Sequence, residues 1–167
     1  IHADYVGMLA TLMNGTILRQ WIQTQGLAPA VLSAFPVGPM CNSCSPVEAN
    51  ALLDSGSLVI LAGGTGCPFF TTDTTASLRA LEIGAKTLIK ATRVDGVFDR
   101  DPEKDNSAVK LDVLDFETAI SERLEVMDAT AFALCRDNGL AIRVLNIQVA
   151  GNLRRAVRGE EIGTLVT

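Results

Sequence analysis

Between Leu58 and Asp73 the chain reads Leu-Val-Ile-Leu-Ala-Gly-Gly-Thr-Gly-Cys-Pro-Phe-Phe-Thr-Thr-Asp, and its chemistry-bearing residues concentrate there. Gly63, Gly64 and Gly66 put three glycines in four positions. Such a run lets the backbone take positive φ and come close to a ligand with no Cβ in the way. Thr71, Thr72 and Asp73 follow, at the start of a segment through Leu81 that reads as a helix. A strand, a glycine loop, a hydroxyl cluster and a helix start together aim backbone N–H groups and a positive dipole end at an anion. The chemistry suggested is the holding of a nucleotide or substrate phosphate. The pattern is neither Gly-x-Gly-x-x-Gly nor the Walker A signature, and a plain tight turn competes with phosphate binding on Gly-Gly-Thr-Gly alone. Two hydroxyls and a carboxylate are more than a helix cap needs, which favours the phosphate.

A second polar stretch follows Lys86–Thr92, itself apolar in its middle and read as a strand. Arg93-Val-Asp-Gly-Val-Phe98 leads into Asp99-Arg-Asp-Pro102, with turn signals at Asp-Gly and Asp-Pro. A strand tip with Lys90, Thr92 and Arg93, then an aromatic, could hold a base and ribose; on pattern alone a solvated loop is favoured. Cys41, Cys44, Cys67 and Cys135 have no metal-site spacing, and no metal centre is expected. Cys41-Asn-Ser-Cys44 is a lone C-x-x-C, read as small loop residues ahead of redox chemistry. His2 is the only histidine, which disfavours a His-based triad.

These residues need a scaffold to position them. At 167 residues and 48% hydrophobic, the chain can bury one sizeable core, so residues 1–167 are read as a single domain. A net charge of −5 argues against a nucleic-acid or membrane-surface partner. No apolar run reaches spanning length and no signal peptide is recognised, though the chain does not begin with Met. Ile1-His-Ala-Asp4 reads as the interior of a longer sequence. Val6, Leu9, Met13, Ile17 and Trp21 fit an amphipathic helix over Asp4–Gln23, closed by Gly26. Ala30–Ala34 reads as a short strand. Ser45-Pro-Val-Glu48 is a capping box starting a helix to Ser55. Leu58–Leu61 reads as a strand buried on both faces. Further on come an exposed loop at 103–106, a strand at Lys110–Leu114, a short helix at Asp115–Glu122, an Asp128-capped helix over Ala129–Asp137, a strand at Ala141–Leu145, a helix at Asn152–Val157 and a strand at Gly163–Val166. This alternation predicts an α/β protein with a mostly parallel sheet covered on both faces. Ligands of such sheets bind outside the carboxyl ends of the strands, where Gly63–Cys67 and Thr92–Asp101 both fall.

Five segments together resemble the bacterial-type UMP kinases (uridylate kinases) of the amino acid kinase superfamily. They are Asp4–Gly15, Gly64–Asp73, Lys90–Pro102, Val126–Asp128 and Ile142–Asn146, with Gly159–Val166 also fitting, so that nearly the whole chain is covered. The resemblance implies a three-layer αβα sandwich with a mostly parallel central sheet, its amino-terminal part lying outside this sequence. It implies transfer of a phosphoryl group from ATP to UMP with Mg²⁺, giving UDP and ADP in pyrimidine nucleotide biosynthesis. By position, Asp4 would bind the UMP ribose. Thr65, Gly66, Cys67, Pro68, Phe69, Phe70, Thr71 and Thr72 would wrap the UMP, the last two reaching its phosphate. Thr92, Phe98 and Asp101 would bind ATP. The family forms cytoplasmic homohexamers activated by GTP and inhibited by UTP.

Two departures from the family pattern stand out. A Lys-x-Ser-Gly-Glu stretch and a Gly-Gly-Gly-Asn loop, which hold the ATP phosphates, are expected upstream of Ile1. Cys67 stands where the family has Asn, which removes an amide donor and acceptor. Asp73 is read as an organising carboxylate that holds a lysine or a Mg²⁺ water in line with the γ-phosphate, against a plain first-turn helix acid; Lys90 is read as the cation this part supplies, with a solvated strand-end lysine an equal alternative. Of the neighbours Phe69 and Phe70, one is expected in the core and the other against the nucleotide. The alternative is a non-catalytic nucleotide-sensing module on the same fold. A kinase acting on glutamate or aspartate is disfavoured by Pro68–Asp73.

Overall fold

The computed structural model of the chain describes residues 1–102, 104–124 and 126–167, so Glu103 of the expected exposed loop lies outside the described residues. The chain divides into two compact units, Ile1–Thr75 and Ala76–Thr167.

The first unit sets a long helix, α1 (His2–Thr24), against a small parallel sheet. Strand β1 (Pro29–Ser33) pairs with β2 (Asn42–Ser43) on one side and β3 (Leu58–Ala62) on the other, the latter in register from Pro29↔Leu58 to Ser33↔Ala62. Between β2 and β3 lies α2 (Pro46–Asp54). Ser45 Oγ accepts the Glu48 N–H as the capping box requires; the Glu48 carboxylate takes Asn42 Nδ2 instead of closing the box. Helix α1 stops where Gly26 turns to φ 78°.

Helix α1 corrects the amphipathic reading. Its buried positions are Met8, Leu12, Gly15 and Ile22. Val6, Leu9, Met13, Ile17 and Trp21 lie on the other side, between 49% and 67% exposed. Both faces carry apolar residues, so periodicity predicts the helix without saying which stripe turns inward. Gly15 decides it: a Cβ there would come within 3.3 Å of Ile60 and 3.4 Å of Ala62, so the missing side chain lets helix and sheet approach. Strand β3 corrects a second expectation. Only Ala62 is buried, Leu58 is 42% exposed, and among the described residues β3 is an edge strand of its sheet.

Helix α3 (Thr72–Glu82) begins in the first unit and ends in the second. The second unit is built on β4 (Thr87–Thr92), β7 (Val113–Leu114), β8 (Ala141–Asn146) and β9 (Thr164–Val166), in the spatial order β4-β8-β9-β7. Strands β4 and β8 are parallel along six residue pairs, β9 runs antiparallel to β8, and β7 is parallel to β9. A separate antiparallel pair joins β5 (Val97–Phe98) to β6 (Lys110–Leu111). The single strand expected over Lys110–Leu114 is therefore two, broken at Asp112 and shared between two sheets. Short helices α4 (Phe116–Ser121), α5 (Ala129–Asp137) and α6 (Asn152–Val157) complete the unit. The Asp115 and Asp128 side chains cap α4 and α5 by accepting backbone N–H groups. The Thr118 hydroxyl, bonded to the Asp115 carboxylate, holds that group's pKa below its ordinary value. Leu114, Phe116, Cys135, Ile142, Val144 and Val166 form the centre of a closed apolar cluster, with Phe116 and Phe132 meeting edge to face at 5.1 Å. This is a mixed α/β fold whose strand pairing is mostly parallel.

Candidate functional site

In the first unit the glycine loop leaves the carboxyl end of β3. Gly63, Gly64 and Gly66 take φ of 80°, 64° and 81°, in the region side chains avoid. Gly63 is also fixed by space, since a Cβ there would sit 2.7 Å from Ser33 Oγ. Helix α1 holds the loop from one side. Thr11 Oγ1 accepts the Gly63 N–H at 3.0 Å, Met8 packs beside Gly64, and Asp4 Oδ2 accepts the Phe69 N–H at 3.1 Å. Asp4, Met8 and Thr11 stand at i, i+4 and i+7, which is one face of a helix. That spacing is legible in the sequence, but the longer apolar stripe of Val6 to Trp21 points to the opposite face.

The loop uses several of its own donors. Gly66 N–H goes to Gly63 O, and Cys67 N–H to Thr65 Oγ1. Among the described residues, the Gly64 and Thr65 N–H groups carry no hydrogen bond and remain for a ligand. Phe69 has φ 73°, strained for an aromatic residue, and Asp4 holds it there. Phe69 is 81% exposed and Phe70 54%. The expectation that one of them is core is therefore wrong: the chain turns at Phe69 instead of running extended, so the two rings are not sent to opposite sides. Cys67 is an exposed free thiol and Pro68 is half-buried.

Helix α3 starts next. The Thr71 hydroxyl accepts the Thr74 N–H at 3.1 Å and so acts as its cap, while Thr71 and Thr72 stay exposed. Asp73 is half-buried in the first turn. Loop amides, two hydroxyls, a carboxylate and two open aromatic rings thus lie consecutively along Gly64–Asp73 in this unit.

In the second unit the segment after β4 gathers a second set of polar residues. Lys90 is a half-buried residue of β4, and Thr92 ends the strand. Thr92 Oγ1 accepts the Val94 N–H at 3.2 Å and lies within donating distance of the Val94 and Leu145 carbonyls. Asn146 Nδ2 donates to Asp95 at 2.9 Å. A cavity of about 510 Å³ opens beyond, lined by Gly96, Val97, Phe98 and Asp101 among others. Its rim is an ionic turn. Asp99 accepts the Val109 N–H, and Arg100 bridges Asp99 at 3.1 Å and Asp105 at 3.2 Å. The Val109 bond, then Arg100, holds the Asp99 carboxyl below its ordinary pKa; the Ser107 hydroxyl and N–H do the same for Asp105. Asp101 is paired with Lys104 at 2.8 Å. Thr164, buried beneath this segment, also escaped the sequence reading, because one threonine in a terminal strand carries no pattern.

The fold and the two loops define a phosphotransferase class: residues 1–146 match the amino acid kinase family, and the chain belongs to that family. Within it, the chain is similar to the UMP kinase of Bacillus anthracis, at 33% identity and TM-score 0.96 over 100% of this chain and 69% of that one. It is similar in the same way to the UMP kinase of Ureaplasma parvum, at 32% identity and TM-score 0.94 over 99% of this chain and 71% of that one. The uridylate kinase of Archaeoglobus fulgidus matches at 32% identity and TM-score 0.71, over 98% of this chain and 71% of that one.

Proposed function

We propose that this chain belongs to an enzyme that phosphorylates UMP to UDP at the expense of ATP. The observation that carries the reading is the run Gly64–Asp73. Bared loop amides, hydroxyls at a helix start and two exposed aromatic rings suit a mononucleotide better than an amino acid, which offers no base to stack. Likeness along the whole chain to proteins described as UMP kinases supports the same substrate. In this reading Thr65 to Thr72 wrap the UMP with Asp4 at its ribose, and Thr92, Phe98 and Asp101 receive ATP.

The chemistry asks little of the protein beyond placement. A phosphate monoester has its second pKa near ~6, so UMP arrives mostly as a dianion. A phosphate oxygen attacks the γ-phosphorus, the bond to the β-bridging oxygen breaks, and ADP leaves with no proton to remove. Positioning and charge stabilisation are what remain. Asp73 orients groups around the transferring phosphoryl, and Lys90 supplies positive charge. Mg²⁺ takes oxygen donors, keeps several waters and needs only one or two carboxylates besides the nucleotide phosphates. The half-buried Asp73 carboxylate fits that demand. When bound, the ion neutralises charge on the phosphates.

We further place self-association, in the cytoplasm, on the outer face of α1, with a second copy of the chain as its occupant. Full burial of an aliphatic side chain corresponds to roughly 60–120 Å² of apolar area, and an aromatic to about 150–250 Å². Val6, Leu9, Met13, Ile17 and Trp21, at their 49% to 67% exposure, then offer on the order of 350 Å². A standard interface needs about 800 Å² per partner, a little over half of it apolar. Residues 5–18 carry no charge, so two copies of a chain at −5 can meet there without like charges opposed. GTP and UTP are proposed as effectors on the family likeness alone.

The test is an ADP-release assay on the full-length protein with UMP, CMP and glutamate as acceptors. Turnover with UMP well above the other two is expected. Turnover with glutamate, or nucleotide binding with no ADP release, would overturn the reading, the second in favour of a sensing module.

A further inference from the structure

We infer that Thr164, which touches no ligand, positions the ATP-binding wall of the second unit and thereby sets ATP affinity. Its side chain is fully buried in β9. Thr164 Oγ1 accepts the Val97 N–H at 2.8 Å and donates to the Leu111 carbonyl. One hydroxyl therefore ties both strands of the β5–β6 pair to the four-stranded sheet. Val97 lines the cavity directly and Phe98 follows it.

The backbone on both sides is shaped around this contact. A Cβ on Gly96 would fall 2.4 Å from Thr164 Oγ1, so only glycine leaves room for the hydroxyl to reach Val97. A Cβ on Gly163 would fall 1.9 Å from the Val144 carbonyl oxygen, and Gly163 has φ 74°. Glycine there lets β9 lie close enough to β8 to present the next residue inward. Two other tethers, the Thr92 hydroxyl to the Leu145 carbonyl and the Leu165 N–H to the Asp112 carbonyl, hold the ends of this segment and not Val97 itself. Thr92 to Val94 and Asn146 to Asp95 are solvent-exposed, and Lys110 Nζ reaches Gly163 O only at 3.4 Å. A buried hydrogen bond whose loss leaves a donor and an acceptor unsatisfied weighs more than exposed ones that water can replace. The position of Val97 and Phe98 is thus set from behind, by a residue remote from the phosphates.

This inference rests on the reading that the cavity takes ATP, and the experiment separates the two. Binding of ATP to the full-length wild type is measured first, by calorimetry; absence of binding sinks the ATP reading itself. Thr164→Val keeps the shape and removes the hydroxyl. It is expected to raise Kd and KM for ATP about tenfold, with KM for UMP and kcat at saturating ATP nearly unchanged. Amide exchange at Val97 should quicken while Ile142 and Val144 in β8 keep their protection. Thr164→Ser, which retains the hydroxyl, should restore ATP affinity and guards against a Val variant that fails to fold. Wild-type ATP affinity in Thr164→Val, an equal rise in both KM values, or failure of Thr164→Ser to recover ATP binding would overturn the assignment.

Discussion

In residues 1–75 the buried apolar cluster holds Leu12, Val31, Cys41 and Ala62, while Val6, Met13, Ile17, Trp21 and Phe69 are all more than 60% exposed. In residues 76–167 the enclosed cluster is larger, with Phe116, Cys135, Leu140, Ile142, Val144 and Val166 inside it, while Val113, Val157 and the charged turn Asp99–Asp105 stay outside. The difference teaches how each unit distributes its apolar residues. The first unit leaves apolar surface and loop amides open. The second unit encloses a larger apolar cluster and holds its loop from behind with side-chain hydrogen bonds. Substitutions in the two units should therefore fail in different ways.

The largest effect should come from Ile142→Ala in the second unit. That side chain is fully buried among β8 neighbours, and its truncation should lower stability by about 2–5 kcal/mol, read by denaturant unfolding. A loss under 1 kcal/mol would erase the contrast between the units. Asp73→Asn should come next, cutting kcat by at least about 100-fold with the melting temperature little changed, since a first-turn acid contributes only ~0.3–1 kcal/mol. Parallel losses of activity and stability would reduce Asp73 to a helix-end charge.

Ile17→Glu should leave subunit stability within about 0.5 kcal/mol, because the side chain is 64% exposed, yet lower the mass seen by sedimentation. Unchanged mass would remove the second copy from α1. The smallest effect concerns pH. Asp99 and Asp105 have folded pKa values below their unfolded ones, so their contribution is present above the unfolded value near ~3.9 and is lost as pH falls through the folded values. Amide exchange at Ser107 and Val109 should quicken below about pH 4 before the β8 amides respond. Loosening of both together would mean that the turn is not a separate element.

Much of this architecture could be read from residue order. Capping signals fixed α2 and α5 almost to the residue, because Ser45, Asp128 and the Asn138-Gly139 stop act locally. Two-residue strands such as β2 and β5 escaped, since pairing and not propensity makes them strands. The orientation of α1 escaped because both of its faces are apolar and only the fit of Gly15 on β3 separates them. Within the site, the order of glycines, hydroxyls and Asp73 was visible. The turn at Phe69 was not, because it depends on a carboxylate 65 positions earlier in the chain.

The most direct trial of the account is amide hydrogen exchange on the full-length protein with and without UMP. Slowed exchange at Gly64, Thr65 and the first turn of α3, with residues 97–109 unaffected, is the result expected if the open amides of the first unit receive the UMP phosphate. Protection confined to residues 94–104, or none in Gly64–Asp73, would contradict it.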